Sequence, residues 1–415
     1  MNSKFMQKFI EIAGIIGGQR HLLAVRDGFV AIMPLIIIGS LATLINNFPP
    51  IGSFDLVGIL NHIFGEGNWQ QVGNGIWNGT FAILGLLVAF SIANTLSKSY
   101  NIDGLSAGLI SAAAYILLVP ITEDGGLTLD WLGAEGLFVA IILGLGVTEL
   151  FRLLSQSKLT IKMPEGVPEG VAKSFKALIP AIFILTLIGL FHALINVFTG
   201  MSIFEIIFAA IQKPLQGFGD TLPAAMLYAF LHQLLWFFVL HGTNILGSVT
   251  NPIFLPLIEE NASLFADGVS AFDVPNIVSQ PFFDSFVQMG GSVITLALLI
   301  AIFIVVRQDR KHPYKEVAKF SAPAAIFNIN EPVIFGLPIV LNPVFLIPFI
   351  FVQVILTIVA YFAISSGLVP KPVAILPWTT PPILSGYLVK GGKLARNCFA
   401  IVQSHSCCVH VYAFR

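Results

Sequence analysis

Between Asp27 and Asp55 the chain carries no charged side chain, and the same is true from Gly67 to Ser97, from Ala177 to Phe204 and from Pro332 to Pro370. A water-soluble fold needs charge at roughly a quarter of its positions. Here 56% of the 415 residues are hydrophobic and 10% are charged, with a mean hydropathy of +0.88. Apolar surface on this scale must face lipid, and stretches of about 17 to 25 apolar residues are the length at which a helix crosses a bilayer. The expected fold class is therefore an all-α polytopic membrane protein. Net charge is −1, with 21 basic and 22 acidic residues, so no global field recommends a nucleic acid or another polyanion as partner.

Spanning runs are predicted near Phe29–Ile45, Phe81–Leu96, Gly104–Val119, Gly136–Leu154 and Ala177–Phe198. Lysine and arginine mark the cytoplasmic ends of such runs. The N-terminal arm carries Lys4, Lys8, Arg20 and Arg26, while Asn46–Asn78 has neither basic type. Lys98 lies in the second connection, Pro120–Glu135 has no basic residue, and Lys158, Lys162, Lys173 and Lys176 lie in the fourth. The alternation places the N-terminus in the cytoplasm of a multi-pass protein in the cell membrane. No small-residue cleavage site follows a short apolar core near Met1, so no cleaved signal peptide is expected.

After residue 199 the pattern changes, because Gly, Pro, Asn and His interrupt shorter apolar runs. Ile203–Leu215 is amphipathic and reads as interfacial. Met226–Leu240, Val293–Val306 and Val344–Leu368 can enter the membrane, and the second of these runs into Arg307, Arg310, Lys311, Lys315 and Lys319. Broken backbone at membrane depth is tolerated only where protein or a water-filled cavity satisfies it, and transporters build substrate sites from such helices. The expected organisation is thus a regular N-terminal domain over 1–200 and a transport domain over 201–392.

Three segments carry the chemistry. In Asn328-Ile-Asn330-Glu331-Pro332, two amides and a carboxylate lie between apolar flanks. A carboxylate at membrane depth costs about 2.5–3.5 kcal/mol on insertion scales, which marks Glu331 as a functional candidate, and a re-entrant hairpin tip fits the proline. In Trp236-Phe-Phe-Val-Leu-His241-Gly-Thr243-Asn244, the His, Thr and Asn offer donors and acceptors suited to sugar hydroxyls. His232 reads as structural. In Phe283-Asp-Ser-Phe-Val-Gln-Met-Gly290-Gly291-Ser292, the tandem glycines either start a helix with exposed amides or let two helices pack closely. Trp378, in Leu-Pro-Trp-Thr-Thr-Pro-Pro, either stacks on a sugar ring or anchors at the membrane interface.

Together with the loop Met163-Pro-Glu-Gly-Val-Pro, these segments resemble the IIC permeases of the lactose/cellobiose (diacetylchitobiose) family of the phosphoenolpyruvate-dependent sugar phosphotransferase system. The resemblance covers roughly residues 1–392. It implies five N-terminal transmembrane helices forming a homodimer contact, and a C-terminal domain with two re-entrant hairpins that holds a β-linked disaccharide such as cellobiose or diacetylchitobiose. Glu331 and His241 would hydrogen-bond the sugar, in a site with Asn330, Asn328, Asn244, Thr243, Trp378, Gly290, Gly291 and Ser292. The phosphoryl donor would be a cysteine on a separate IIB protein, itself charged through IIA. That agrees with this chain's own cysteines, Cys398, Cys407 and Cys408, all lying near its C-terminal end. No cofactor or metal is expected. Where the family pattern reads Gly-Gly-Ser-Gly, this chain has Gly290-Gly-Ser-Val293.

An ion-coupled sugar symporter, with Glu331 carrying the proton, is the nearer rival reading, and an intramembrane hydrolase using Glu331 and His241 is a remote one. No zinc-binding His-Glu-x-x-His or Gly-x-Ser-x-Gly nucleophile supports the latter. After Gly392 the resemblance implies another apolar helix, yet residues 393–415 bring three cysteines, two histidines and two arginines. A one-nucleotide frameshift is the expected origin of this aberrant tail, and impaired folding or transport its expected consequence.

Overall fold

The structure, a computed structural model, describes residues 17–48, 55–122, 125–158, 160–161, 163–164, 166–292, 294–306, 312–337 and 339–392, together with 8, 11–12 and 14–15. The tail from 393 onward, Lys162, Val293 and the basic residues Arg307, Arg310 and Lys311 lie outside the described residues. Among those described the fold is helical, with one isolated β-bridge between Ile121 and Leu127. Five helical stretches are long and apolar enough to cross a membrane: Arg20–Asn46, Gln70–Ser99, Ala134–Ser155, Glu169–Thr199 and Phe345–Ser365.

The principal helices are α1 (Arg20–Asn46), α2 (Leu56–Phe64), α3 (Gln70–Asn78), α4 (Leu84–Ser99), α5 (Gly104–Leu118), α6 (Leu137–Ser155) and α7 (Glu169–Thr199). The predicted N-terminal runs all fall on helices of this set. α5 is the shortest of the five because Asp103 caps its start, accepting from the Leu105 N–H, and Pro120 follows its end. Two amphipathic helices, α2 and α3, occupy what the sequence presented only as a connection without basic residues.

The chain forms two compact units. The first comprises Met1–Ile38, Trp77–Gln216 and Gly247–Pro256. Its centre is Ile92 on α4, fully buried with Val88, Ala89 and Leu96. Glycines from two other helices let the backbones close on it: a Cβ at Gly28 would lie 2.7 Å from Ile92 Cγ1 and 3.2 Å from its Cα, and one at Gly144 would lie 2.9 Å from Ile92 Cβ. Hydroxyls complete the packing where lipid offers no partner, with Ser91 donating to Gly28 O at 3.0 Å and Ser111 to Ala89 O at 2.9 Å. Gly28→Val should therefore lower the melting temperature of the detergent-purified protein strongly, since overpacking costs about 1–3 kcal/mol or more where backbone must move. An unchanged melting curve would show that the two helices can separate freely.

The second unit comprises Gly39–Ile76, Gly217–Leu246 and Leu257–Arg415. Beyond α7, and within the first unit as far as Gln216, the amphipathic stretch is helical as Ile203–Ile207, a π-helical Phe208–Gln212 and Lys213–Gly219, which we group as α8. Then come α9 (Leu222–Phe237), α10 (Gly242–Ala266), α11 (Gln280–Phe282, continued by a π turn Phe283–Val287), α12 (Thr295–Val305), α13 (Pro313–Ile326), α14 (Glu331–Gly336), α15 (Pro343–Ser365) and α16 (Pro382–Leu388). α10 was not anticipated, because Pro252 and Pro256 lie inside it. Prolines are tolerated in membrane helices whose freed carbonyls find other partners.

A knot of polar groups holds the approach to α11. Asp220 Oδ1 accepts the Ile277 and Val278 N–H groups at 2.7 and 2.6 Å. Asn261 donates to Asn276 O and Pro372 O at 2.7 and 2.9 Å, and accepts the Asn276 N–H at 3.0 Å. Lys371 Nζ donates to Val274 O. These bonds satisfy backbone that no helix pairs.

Candidate functional site

The site lies within the second unit, where the chain leaves helical geometry repeatedly. Val239, Ile294, Asn328 and Leu341 adopt positive φ although none is glycine, which marks backbone held by its surroundings. Gly290 and Gly291, at φ 85° and 98°, stand where a side chain would collide: a Cβ on Gly291 would lie 2.5 Å from Asn328 O. The tandem glycines thus serve close approach between the segment after α11 and the turn before α14. The Gly290 N–H is not exposed, since it donates to Asn328 Oδ1 at 2.9 Å.

Asn328 uses its whole amide in this way. Its Nδ2 donates to Trp378 O at 2.6 Å and to Thr380 O at 2.9 Å. One side chain therefore ties the Gly290 turn, its own turn and the 378–380 loop together. Trp378 is 60% exposed. On the other side of the Gly290 turn, Gln233 of α9 donates to Ser292 O at 2.5 Å.

His241 is the N-cap of α10. Its Nδ1 accepts the Asn244 N–H at 3.3 Å, and its ring lies 4.5 Å from that of Trp236. With Nδ1 accepting, the proton of the neutral ring sits on Nε2, which becomes a donor. Gly242 allows this turn, because a Cβ there would lie 2.6 Å from His232 O. Thr243 pairs with His232 Nε2 at 2.9 Å, and His232 is fully buried, so Thr243 is held inward while His241 and Asn244 are exposed. Trp236 belongs to one core cluster with Val333 and Ile334 of α14.

Glu331 begins α14, is half-buried and accepts no hydrogen bond from any described residue. Asn330 beside it is 2% exposed, and its Nδ2 has no partner. An unpaired carboxylate next to an unpaired amide N–H is costly at membrane depth and offers both an acceptor and a donor to an incoming polar ligand.

Asp284, which the sequence reading passed over, shares a cavity with Asn328 and Trp378, and the residues lining that cavity do not include Glu331, Asn330 or His241. It sits on the π turn after α11, accepts from Gln280 Nε2 at 2.8 Å, and lines a small cavity with Ser285, Asn328, Leu376, Trp378 and Ser385. π turns recur at functional sites. The signal was present, because the argument that singled out Glu331, a carboxylate between apolar residues, applies equally to Asp284 between Phe283 and Phe286. By residue chemistry alone, carboxylates such as Asp284 and Glu331 can accept hydrogen bonds, His241 and Asn330 can donate them, and the exposed Trp378 offers an apolar face. Among the described residues no group of three or more His, Cys, Asp or Glu side chains could hold a metal ion.

Comparison with known proteins gives the family. The family model for the phosphotransferase system EIIC matches residues 26–352. The lichenan permease IIC component of Bacillus subtilis (strain 168) is 40% identical over 409 residues, 95% of this chain and 88% of that one. The cellobiose-specific EIIC component of Geobacillus stearothermophilus is 39% identical over 410 residues, 95% of this chain and 89% of that one. The crystal structure of the transporter ChbC, the IIC component from the N,N'-diacetylchitobiose-specific phosphotransferase system, superposes with a TM-score of 0.91 at 37% identity, covering 99% of this chain and 96% of that one. Fold, apolar spans and relatives agree: the chain belongs to the EIIC family of the phosphotransferase system and is a membrane-embedded sugar permease component.

Proposed function

We propose that this permease binds a β-linked disaccharide, such as cellobiose or diacetylchitobiose, in the second unit and delivers it for phosphorylation by a separate IIB protein. The observation that carries the reading is the half-buried, unpaired Glu331 at a turn fastened by Asn328. Glu331 accepts sugar hydroxyls, His241 donates from Nε2, and Asn330 and Asp284 add a donor and an acceptor. Trp378 stacks on a ring. Asn328, Ser292 and the glycines position these groups, and Thr243 acts through His232. EIIC components pair with IIB and IIA components, so no phosphoryl donor is required of this chain. The relatives named for lichenan, cellobiose and diacetylchitobiose support the substrate class. Titration of the purified protein with a panel of disaccharides tests it: binding restricted to β-linked sugars is expected, and indifference to linkage would contradict it.

In this reading residues 1–200 form the dimerisation domain. α7 supports it, since little of its apolar length is buried and Leu190, Phe191, Leu194 and Phe198 are exposed. Such a face meets lipid or a second copy. The N-terminus is cytoplasmic, and Lys158, Lys173, Lys176, Lys315 and Lys319 share that side as part of the surface for IIB, by the basic bias of the connections. Single cysteines placed at these positions, with Cys398, Cys407 and Cys408 replaced, should react with an impermeant maleimide only after the membrane is opened. Labelling from the periplasm of intact cells would reverse the topology. Re-entrant hairpins at the 280–292 and 326–340 segments complete the proposal, as does a frameshift origin for 393–415, which the gene sequence around codon 393 decides.

A further inference from the structure

A second cluster, unrelated to the sugar site, lies at the ends of three helices of the first unit. Arg20 opens α1, Tyr100 follows the last residue of α4, and Arg152 is in the last turn of α6. Both guanidiniums lie over the Tyr100 ring, Arg20 Cζ at 4.4 Å from its centroid and Arg152 Cζ at 4.8 Å. The ring attracts each cation, but the two cations repel one another.

Glu149 is the carboxylate that answers them, and its capacity is used. Oε1 accepts from Tyr100 OH at 2.5 Å and pairs with His21 Nε2 at 3.0 Å. Oε2 accepts Arg152 Nε at 3.0 Å and Nη2 at 2.9 Å. His21 Nδ1 pairs with Gln19 Nε2 at 2.9 Å, which allows a neutral His21 to donate to Glu149. The bond to Glu149 raises the Tyr100 hydroxyl above its ordinary pKa, so it stays a donor. Arg20 is exposed and has no carboxylate partner among the described residues. Two arginines against one glutamate leave one uncompensated positive charge, with a planar donor fork held in place by the ring beneath it.

We propose that Arg20, with Arg152 and Tyr100 as its platform, binds the phosphate of an anionic phospholipid headgroup. A guanidinium presents paired N–H groups to phosphate oxygens. The position at the ends of three spanning helices is the depth at which headgroup phosphates lie, and basic pockets between helices at that level select anionic lipids. A free phosphate ion offers the same chemistry, and the test separates the two sources.

The full chain is placed in nanodiscs of phosphatidylcholine with a minor fraction of phosphatidylglycerol, and lipid retained after gentle detergent extraction is counted by native mass spectrometry. Wild type should keep phosphatidylglycerol in preference to phosphatidylcholine, and Arg20→Gln should reduce that preference about tenfold, as expected for loss of a charged hydrogen bond. Arg20→Lys should restore only part of it, because lysine lacks the fork. Arg20 is exposed, so folding is expected to survive, which unchanged sugar binding would verify. Equal preference in wild type and Arg20→Gln would overturn the site. In a parallel arm, inorganic phosphate added to phosphatidylcholine discs should leave the melting temperature unchanged, and an Arg20-dependent rise with phosphate alone would overturn the lipid assignment.

Discussion

Glu331→Gln should weaken disaccharide binding by about tenfold to a hundredfold, measured by titration calorimetry on the purified protein, while leaving its melting temperature close to that of wild type. A hydrogen bond to a charged group is worth about 1.5–3 kcal/mol, and that range converts to the loss given. Stability should hold because Glu331 makes no hydrogen bond to any described residue whose loss would destabilise the fold. His241→Ala should lower affinity in the same direction, since it removes the Nε2 donor. It should also cost some stability, because the Asn244 N–H loses its cap. Undiminished affinity in both variants would remove the sugar from this site.

Asn328→Ala should be damaging in a different way, with stability and binding falling together. The substitution leaves the Gly290 N–H and the Trp378 and Thr380 carbonyls without their partner, and each buried group left unpaired costs about 1–3 kcal/mol. It also asks alanine to adopt φ 62°, which asparagine tolerates better. Asn328→Asp, nearly isosteric, is the sharper test. Its carboxylate still accepts from Gly290 but sets an oxygen against two carbonyl oxygens, so it should be no better than alanine. A fully stable Asn328→Asp with normal sugar affinity would show that the three segments do not depend on this amide.

Much of this was legible in the sequence because lipid simplifies the reading. Where no water competes, length and apolarity alone define a span, and the expected runs at Phe81–Leu96, Gly104–Val119, Gly136–Leu154 and Ala177–Phe198 fall on α4, α5, α6 and α7. The irregular half was read less well. No span was expected over α10, which contains Pro252 and Pro256, because tertiary partners decide whether a proline ends a membrane helix. α2 and α3 went unseen because their apolar faces are too short to register as spans. At the candidate site, residue types drew attention to several segments, and the coordinates show which of their polar atoms are already paired. Asn328 and Thr243 read as sugar ligands from their chemistry, yet one amide is taken up by three backbone groups and the other hydroxyl by His232. Only coordinates show which polar atoms are already paired. Asp284 differs, since its carboxylate among apolar residues was visible in the sequence, while its neighbours across the cavity come from segments far away in the chain.

The most direct test of the central claim is the chemical form of the sugar that crosses the membrane. Vesicles containing this protein should accumulate radiolabelled disaccharide only when a phosphorylated IIB partner is supplied on the cytoplasmic side, and the accumulated label should be sugar phosphate. An imposed proton gradient should make no difference. Accumulation of unmodified sugar driven by that gradient without IIB would contradict the account and make Glu331 the proton carrier of a symporter.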